Sequence, residues 1–483
     1  MWLFRLCKYI PLIHVNSRKA YLLIIKADPY RGAIGALWAM MLLFVSTSIL
    51  SSACLAADLS FNQARELLRE RNNVLKAADA NVESKRMTSD SLKLLHGPTI
   101  SVGAVELWGE AKVDLDRTIT TPEGSLPVDI KETYNFSGPR AAVTGTVPIF
   151  TGGKIGSVQK TAKFAVDEAE ANRNIQLNSL EAELVSKYFG LQLALSLQRL
   201  RDATLKEEDQ ELGRAYKFEK EGMISHVEVM GVKVARDRAE RESLRARNNV
   251  RTAKLELQRL LLSDNLGHLT TPLFVLRESI KPMEEWVNQA MKSNPQLASM
   301  EARVRQADQG VDASKSSWFP QVMGFGQYFF AKPHQTYLKP EWLAGIGVNL
   351  TLWDSRDRLA SFKSARATLR EARSMQNDTV NLVRTAAETA WMNTQNAREQ
   401  YNLTASNVAL ARDNLELKKE GFGEGLYTAL DVTQARDQLL AAEVERRVSA
   451  FEFVVNYALL HVIAGRMSEF MKSGNKKDII VEN

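Results

Sequence analysis

Proline interrupts a helix interior at a cost of roughly 3 kcal/mol. All 13 prolines of this 483-residue chain lie before residue 30, within 98–148, within 272–295 or within 320–340. Two long tracts, Ile149–Thr271 and Glu341–Asn483, contain none, nor do 58–97 and 296–319. In the first tract small and apolar residues recur every three or four positions, from Ile155, Val158 and Ala162 through Leu177, Leu180 and Leu184 to Tyr188, Leu191 and Leu195. Charged residues fill the gaps. The stripe predicts a coiled-coil type helix over about 154–220, roughly 100 Å long at ~1.5 Å per residue, which is far more than a globular core needs.

The proline-bearing segments follow a different rule. AAVTGTVPIF (141–150), VMGFGQYFF (322–330) and WLAGIGVNLTLW (342–353) alternate, with Ile346, Val348, Leu350 and Leu352 on one face and Gly345, Gly347, Asn349 and Thr351 on the other. Apolar outside and small or polar inside is the period-two pattern of a membrane barrel strand, although a half-buried soluble strand shares it. The flanking rings of Trp108, Tyr134, Phe136, Phe150, Trp342 and Trp353 favour the membrane, since aromatic side chains gather at its interfaces.

The chain also repeats itself. A shift of 203 pairs Phe150 with Trp353, Asn174 with Asn377, Gly222 with Gly425, Glu240 with Glu443 and Leu257 with Leu460 without a gap. Upstream the shift is 222, pairing Asn72 with Asn294, Leu75 with Leu297 and Pro98 with Pro320. The difference is a 19-residue insertion between the strands of the first copy, and KVDLDRTITTPEGSLPVDIKE (112–132), polar and turn-rich, is expected there as an external loop. Each copy reads helix, strand, loop, strand, long helix, turn, long helix. The expected boundaries are 58–262 for the first repeat, 263–295 for a linker, 296–466 for the second repeat and 467–483 for a tail. Four strands cannot close a transmembrane barrel, for which about eight is the practical minimum, and lipid tolerates no open edge. Two chains would supply eight strands and three would supply twelve.

Residues 1–57 differ from the rest. Six basic residues, Arg5, Lys8, Arg18, Lys19, Lys26 and Arg31, and one acidic residue, Asp28, lie around an apolar run at Ala33–Leu50 that ends in small residues. This is the pattern of a secretory signal peptide with a long basic region, cleaved near Ala56 or Ala57; a retained anchor and a lipoprotein site at Cys54 are the alternatives. Its loss would lower the net charge from +6 to +1, so the high pI is no argument for nucleic acid. Both cysteines, Cys7 and Cys54, fall in this leader, leaving no disulfide and no thiolate metal site in the mature chain. No apolar run after it is long enough for a spanning helix.

Over about 58–466 the chain resembles the TolC-like outer membrane efflux proteins. The resemblance rests on the duplication, the strand-to-helix junction VPIFTGGK (147–154) and two helix-turn-helix tips, EGMISHVEV (221–229) and EGLYTALDVTQAR (424–436). It implies a mixed α/β membrane protein in the Gram-negative outer membrane. Its four strands would join an oligomeric transmembrane β-barrel of twelve strands in a homotrimer, with long coiled-coil-like helices forming a periplasmic α-barrel. The linker at 263–295 and the tail would belong to an equatorial region. It also implies partners, namely a periplasmic adaptor (membrane fusion protein) and an inner-membrane RND, ABC or MFS transporter, with outer membrane lipid around the barrel. The adaptor-docking tips map to Gly222, Met223, Ile224 and Ser225 and to Gly425, Leu426, Tyr427 and Thr428. The periplasmic gate maps to Asp431, with Gln434 where a second aspartate is expected and Glu228 at the paired position of the first copy. Tyr427 replaces an arginine latch.

The residues give no support to an enzyme. The six histidines form no pair at metal-ligand spacing, no catalytic signature is present, and no cofactor or metal is expected. A secreted coiled-coil scaffold or adhesin is the competing reading; it accounts for the helices but not for the hairpins with aromatic margins. TGGKIGS (151–157) lacks the four-residue spacing of a phosphate loop. The second copy reads TLWDSRDRLA (351–360) at the same place, without glycine. The shared task is an elbow from strand into helix at Phe150, Gly152 and Gly153 in one copy and at Trp353 and Asp354 in the other. Asp354 with Asp357, and Thr151, are the candidate helix caps.

Overall fold

The computed structural model describes residues 58–331, 341–353, 355, 357–473 and 479–482. The leader expected at 1–57 and the elbow residue Asp354 lie outside them. In chain order the elements are α1 (Phe61–Arg71), α2 (Asn73–Leu92), β1 (Thr99–Thr121), β2 (Gly124–Phe150), α3 (Lys154–Lys220) and α4 (His226–Leu261). Then come β3 (Leu273–Leu276), α5 (Met283–Ser293), α6 (Pro295–Lys315), β4 (Gln321–Ala331), β5 (Trp342–Asn349), α7 (Arg358–Gly423), α8 (Ala429–Ile463), α9 (Met467–Ser473) and β6 (Ile479–Glu482). Among the described residues no helix is long and apolar enough to cross a membrane.

The duplication is carried into local chemistry. Asn72 caps α2 by accepting from the Val74 and Leu75 N–H groups, and its repeat partner Asn294 caps α6 by accepting from Gln296 N–H. The two longest helices, α3 with 67 residues and α7 with 66, occupy the proline-free tracts.

The strands form one antiparallel sheet in the order β1-β2-β4-β5, so β1 and β5 are open edges. Register and alternation put Ile100, Val102, Val147, Ile149, Ile346 and Val348 on a single face, and all but Val147 are well exposed. Thr144, Thr146, Gln321, Gly347 and Asn349 lie on the other. There the Phe325 ring fits against Gly345, where an added Cβ would come within 3.1 Å of it.

The expected external loop at 112–132 is corrected. Residues 112–121 continue β1 and 124–132 continue β2, in unbroken register down to Thr121 opposite Gly124, and only Pro122 and Glu123 turn the chain. Polar residues alternate with Val113, Leu115, Val128 and Ile130, and in composition alone that half-polar alternation reads as a loop.

At the elbows, Gly152 and Gly153 stand between β2 and α3. Gly152 cannot be exchanged: its φ is +61° and a Cβ would lie 2.8 Å from both Phe319 Cβ and Ser316 O. Thr151 Oγ1 accepts a long 3.4 Å hydrogen bond from Ile155 N–H. The second elbow is capped by Asp357, whose Oδ1 accepts from Ala360 N–H at 2.9 Å, while Trp353 points outward, 91% exposed.

The apolar core sits halfway along the helices. Phe61, Tyr188, Phe189, Phe274, Phe453 and Phe470 are essentially inaccessible; Phe61 meets Tyr188, and Phe189 meets Phe274 and Phe470, ring to edge, while Phe453 stacks on Tyr457. Tyr188 ties α3 to the linker, donating to Leu59 O at 2.7 Å and accepting from Thr271 N–H at 3.1 Å. Buried Glu181 receives both Arg65 and Arg69 at 2.7 Å, and β3 pairs with β6 to bring the tail into this belt.

His461 lies in the same core, 3% exposed, against Trp286, Tyr457 and Phe470, and among the described residues neither ring nitrogen has a hydrogen-bond partner. Burial, assisted by the nearby Arg466 charge, lowers its pKa from 6.5 to about 3. The folded chain therefore keeps it neutral while the unfolded chain takes up a proton below pH 6.5, and stability must fall as pH drops from 6.5 toward 3. Melting followed by tryptophan fluorescence between pH 6.5 and 5, above the range of ordinary carboxylates, should show that loss in the parent chain. His461→Phe should flatten it.

Candidate functional site at the helical tips

The two helical hairpins end in the same construction. At the first tip Gly222 takes φ +74° after α3; Gly222 N–H donates to Glu219 O at 2.9 Å and Met223 N–H to Phe218 O at 2.8 Å. At the second, Gly425 takes φ +77° after α7, Gly425 N–H donates to Phe422 O at 3.1 Å and Leu426 N–H to Gly421 O at 2.8 Å. Each is a Schellman termination, which needs a left-handed residue just past the helix and so selects glycine.

Two residues later each chain restarts through a capping box. Ser225 N–H and Oγ donate to Glu228 Oε2 at 2.8 and 3.0 Å, and Glu228 N–H returns to Ser225 Oγ at 3.3 Å. Thr428 N–H and Oγ1 donate to Asp431 Oδ2 at 2.9 and 2.7 Å, and Asp431 N–H returns to Thr428 Oγ1 at 3.2 Å. Both expected gate carboxylates are thus engaged within their own turn. The Thr428 backbone N–H, its hydroxyl and the Lys418 ammonium 3.8 Å away hold the Asp431 carboxyl below its ordinary pKa. Gln434, one turn further on, is exposed.

Sequence reasoning missed the neighbours that shape these turns. Lys418 Nζ sits 3.7 Å above the Tyr427 ring as well as beside Asp431. That ring lies close against Gly421, where a Cβ would fall 2.5 Å from Tyr427 Cδ2 and 2.8 Å from Cε2, so Gly421 provides its seat. Phe218 and Phe422 meet at 6.1 Å, and Ala215, Val229, Val232 and Ala429 form a small core that binds the two tips side by side. Met223 and Leu426 remain outside it, 64% and 72% exposed at equivalent positions. Behind the tips Arg436, 4% exposed, places Nη1 2.6 Å from Glu208 Oε1 and Nη2 3.5 Å from Glu211 Oε2. A visible signal existed for it, since Arg436 interrupts the apolar stripe Ala429, Val432, Ala435.

The layer at the tips runs α4, α3, α8, α7, and nearer the sheet it runs α2, α3, α6, α7, so α7 is an edge at both ends, while α5 and the linker pack against its middle at Val383, Ala387 and Trp391. Along α7 the exposed residues Met375, Leu382, Leu403, Leu410 and Leu417 stand at multiples of seven. Polar Thr389 and Asn396 separate the pair from the triplet, and on the opposite edge Val227 and Val234 of α4 stand seven apart, with Leu255 three heptads on beyond Arg241 and Asn248. A seven-residue apolar repeat on the outer side of a helix is a coiled-coil seam without its partner.

Comparison with known proteins gives consistent findings. A family model described as outer membrane efflux protein matches residues 64–261 and 286–446. The chain is 23% identical over 372 residues to the outer membrane efflux protein BepC of Brucella suis biovar 1, covering 73% of this chain and 80% of that one. In fold it is similar to a membrane protein from Pseudomonas aeruginosa, with a TM-score of 0.70 at 15% identity over 84% of this chain and 90% of the other. The Campylobacter jejuni CmeC outer membrane channel gives 0.68 at 15% identity over 86% and 89%.

Proposed function

The chain belongs to the outer membrane efflux protein family, whose members are channels of the Gram-negative outer membrane, and from that premise we propose that three copies close into one continuous duct. In this reading twelve strands form the barrel and the long helices form a periplasmic tunnel, the exit conduit of a tripartite efflux or secretion machine. The chain conducts substrate passively and catalyses nothing. The repeats at 58–262 and 296–466 each give one hairpin to the barrel and one to the tunnel, and 263–295 with the tail makes the belt.

The observation that carries the proposal is that every extended layer of the protomer is open on both sides. The sheet ends at β1 and β5, and the helical layer ends at α7 on one side and at α4, or nearer the sheet α2, on the other, with exposed apolar residues along α4 and α7. A sheet edge in lipid leaves backbone groups unsatisfied at several kcal/mol each, so only closure makes it viable. The two tips, with Met223 and Leu426 at equivalent exposed positions, offer paired sockets for a periplasmic adaptor that leads to an inner-membrane transporter. In the same reading Asp431, Glu228 and Gln434 border the narrow periplasmic end, and the contact of Lys418 with Asp431 and Tyr427 serves as a latch within each subunit.

The test is electrophoresis of purified protein before and after boiling in SDS. A closed barrel should migrate as a resistant oligomer and collapse on boiling to a monomer just below the 54.1 kDa of the full chain. A species that always runs as a monomer would instead support a scaffold without a pore.

A further inference from the structure

The inserted hairpin turns its apolar side inward. Through the four-stranded part of the sheet, Ile100, Val102, Val143 and Val147 share the lipid-directed face with Ile346 and Val348. At the rung formed by Ala104 and Ala141 two things happen together. There β4 makes its last pairing with β2, through Ala331, and beyond it β1 and β2 continue alone as a two-stranded ribbon as far as Thr121 and Gly124.

From the next rung, Val105 with Arg140, the apolar pattern changes face. Val105, Leu115, Ile119, Leu126 and Ile130 all lie on the side that carries Thr144 and Gln321 lower down, and they are 41–64% exposed. Opposite, in line with the lipid face, come Glu106, Glu110, Lys112, Asp114 and Asp116, with the exposed Trp108 as the one large apolar side chain of that row. The β1–β2 register holds one alignment over its whole length, so no bulge restores the phase. Below the rung the outer face carries aliphatic, aromatic and glycine residues, while the inner face mixes Thr144, Thr146, Gln321 and Asn349 with Met323, Phe325 and Phe329; above it the aliphatic residues move to the inner face, where Arg140, Arg117 and Glu132 are the charges.

A lone two-stranded ribbon is at best marginally stable in water, and this one extends 17 residues per strand from Val105, about 55 Å at ~3.3 Å per residue. Its stability calls for a cover on the apolar face. Continuity with the barrel decides what can provide it, because that face points toward the axis on which the other copies lie. Resting on the oligomeric barrel proposed above, we infer that the ribbons from the separate copies coil around the axis and pack these inner faces together, forming an apolar cap over the outer mouth of the pore. The right-handed twist of a ribbon is compatible with this, since a twisted ribbon keeps one face to an axis by winding about it. The lumen would then be wide and polar beneath a constriction that opens only when cargo parts the ribbons.

The test uses the absence of cysteine from the described residues. Single substitutions Leu115→Cys and Ile119→Cys on the inner face, and Asp116→Cys and Thr120→Cys on the outer, are treated in intact outer membranes with a short bis-maleimide, beside the unsubstituted chain. Inner-face variants should give covalent dimers and trimers that survive boiling, and outer-face variants should give several-fold less. Planar-bilayer conductance of the Leu115→Asp, Ile130→Asp double variant should rise several-fold, whereas Asp116→Asn should match the parent. An intact heat-sensitive oligomer without inner-face crosslinks, or with conductance unchanged, overturns the cap and leaves the duct standing. Loss of the oligomer from the unsubstituted chain overturns the duct and the cap with it.

Discussion

Arg436→Ala is expected to cost about 3–5 kcal/mol at the junction of the two helical hairpins, the penalty for stranding a buried charge. The guanidinium is the cation that faces Glu208 and Glu211, which are 4% and 6% exposed, with the more open Glu207 at 3.6 Å from Nε. Among the described residues, its removal leaves the buried carboxylates with only the peripheral Arg214, 2.5 Å from Glu211. Glu208 Oε2 already lacks a partner, so there is no reserve of hydrogen bonds to absorb the change. Hydrogen exchange over 204–216 and 429–440 should accelerate, and proteases should reach the turns at 222–225 and 425–428 sooner. Adding Glu208→Gln and Glu211→Gln should recover most of the loss, because the damage comes from unpaired charge and not from lost volume. Unchanged exchange in the single variant would show that the cluster contributes nothing to holding the hairpins together.

Ile346→Arg should abolish assembly while Gly347→Arg should not. Ile346 lies on the lipid face opposite Gly324 and is 71% exposed in the protomer. Arginine near the midplane of an outer-membrane barrel costs about 2–4 kcal/mol, and every copy bears that cost in one closure step. Ile346 is a sharper probe than Val348, which pairs with Val322 one rung from the end of the sheet and so lies toward the boundary. Gly347 looks inward, and a Cβ there meets nothing nearer than 3.9 Å. The yield of heat-sensitive oligomer reads both variants. Equal yields would reverse or erase the assignment of faces.

Much of this architecture was legible because proline and glycine act locally. Absence of proline marked the tract that holds α3 and α4, and the repeat marked the two tips, because a Schellman turn followed by a capping box is written in eight consecutive residues. The legible strand faces followed from period-two alternation in short segments. What could not be read depended on residues far apart. The Glu208–Arg436 contact spans 228 positions, and Gly421 is recognisable as a seat only once the Tyr427 ring lies on it. In sequence the ribbon reads as a loop, because charges alternating with aliphatic residues lower its mean hydropathy without disturbing its register. At the second elbow, two aspartates three residues apart offered two candidate caps, and the helix begins after Asp357.

The open seam along α7 also has a consequence for kinetics. A protomer with Leu403, Leu410 and Leu417 uncovered and a strand edge at either end of its sheet is a sticky intermediate, prone to wrong pairings as well as right ones. Its apparent stability belongs to the assembled species and so depends on how many copies are present, since a subunit that is stable only in company unfolds more readily on dilution. In the assembly proposed above, supply then becomes a variable of folding: at low expression the chain waits longest in its most vulnerable form, and the rate at which copies meet sets how much mature oligomer forms.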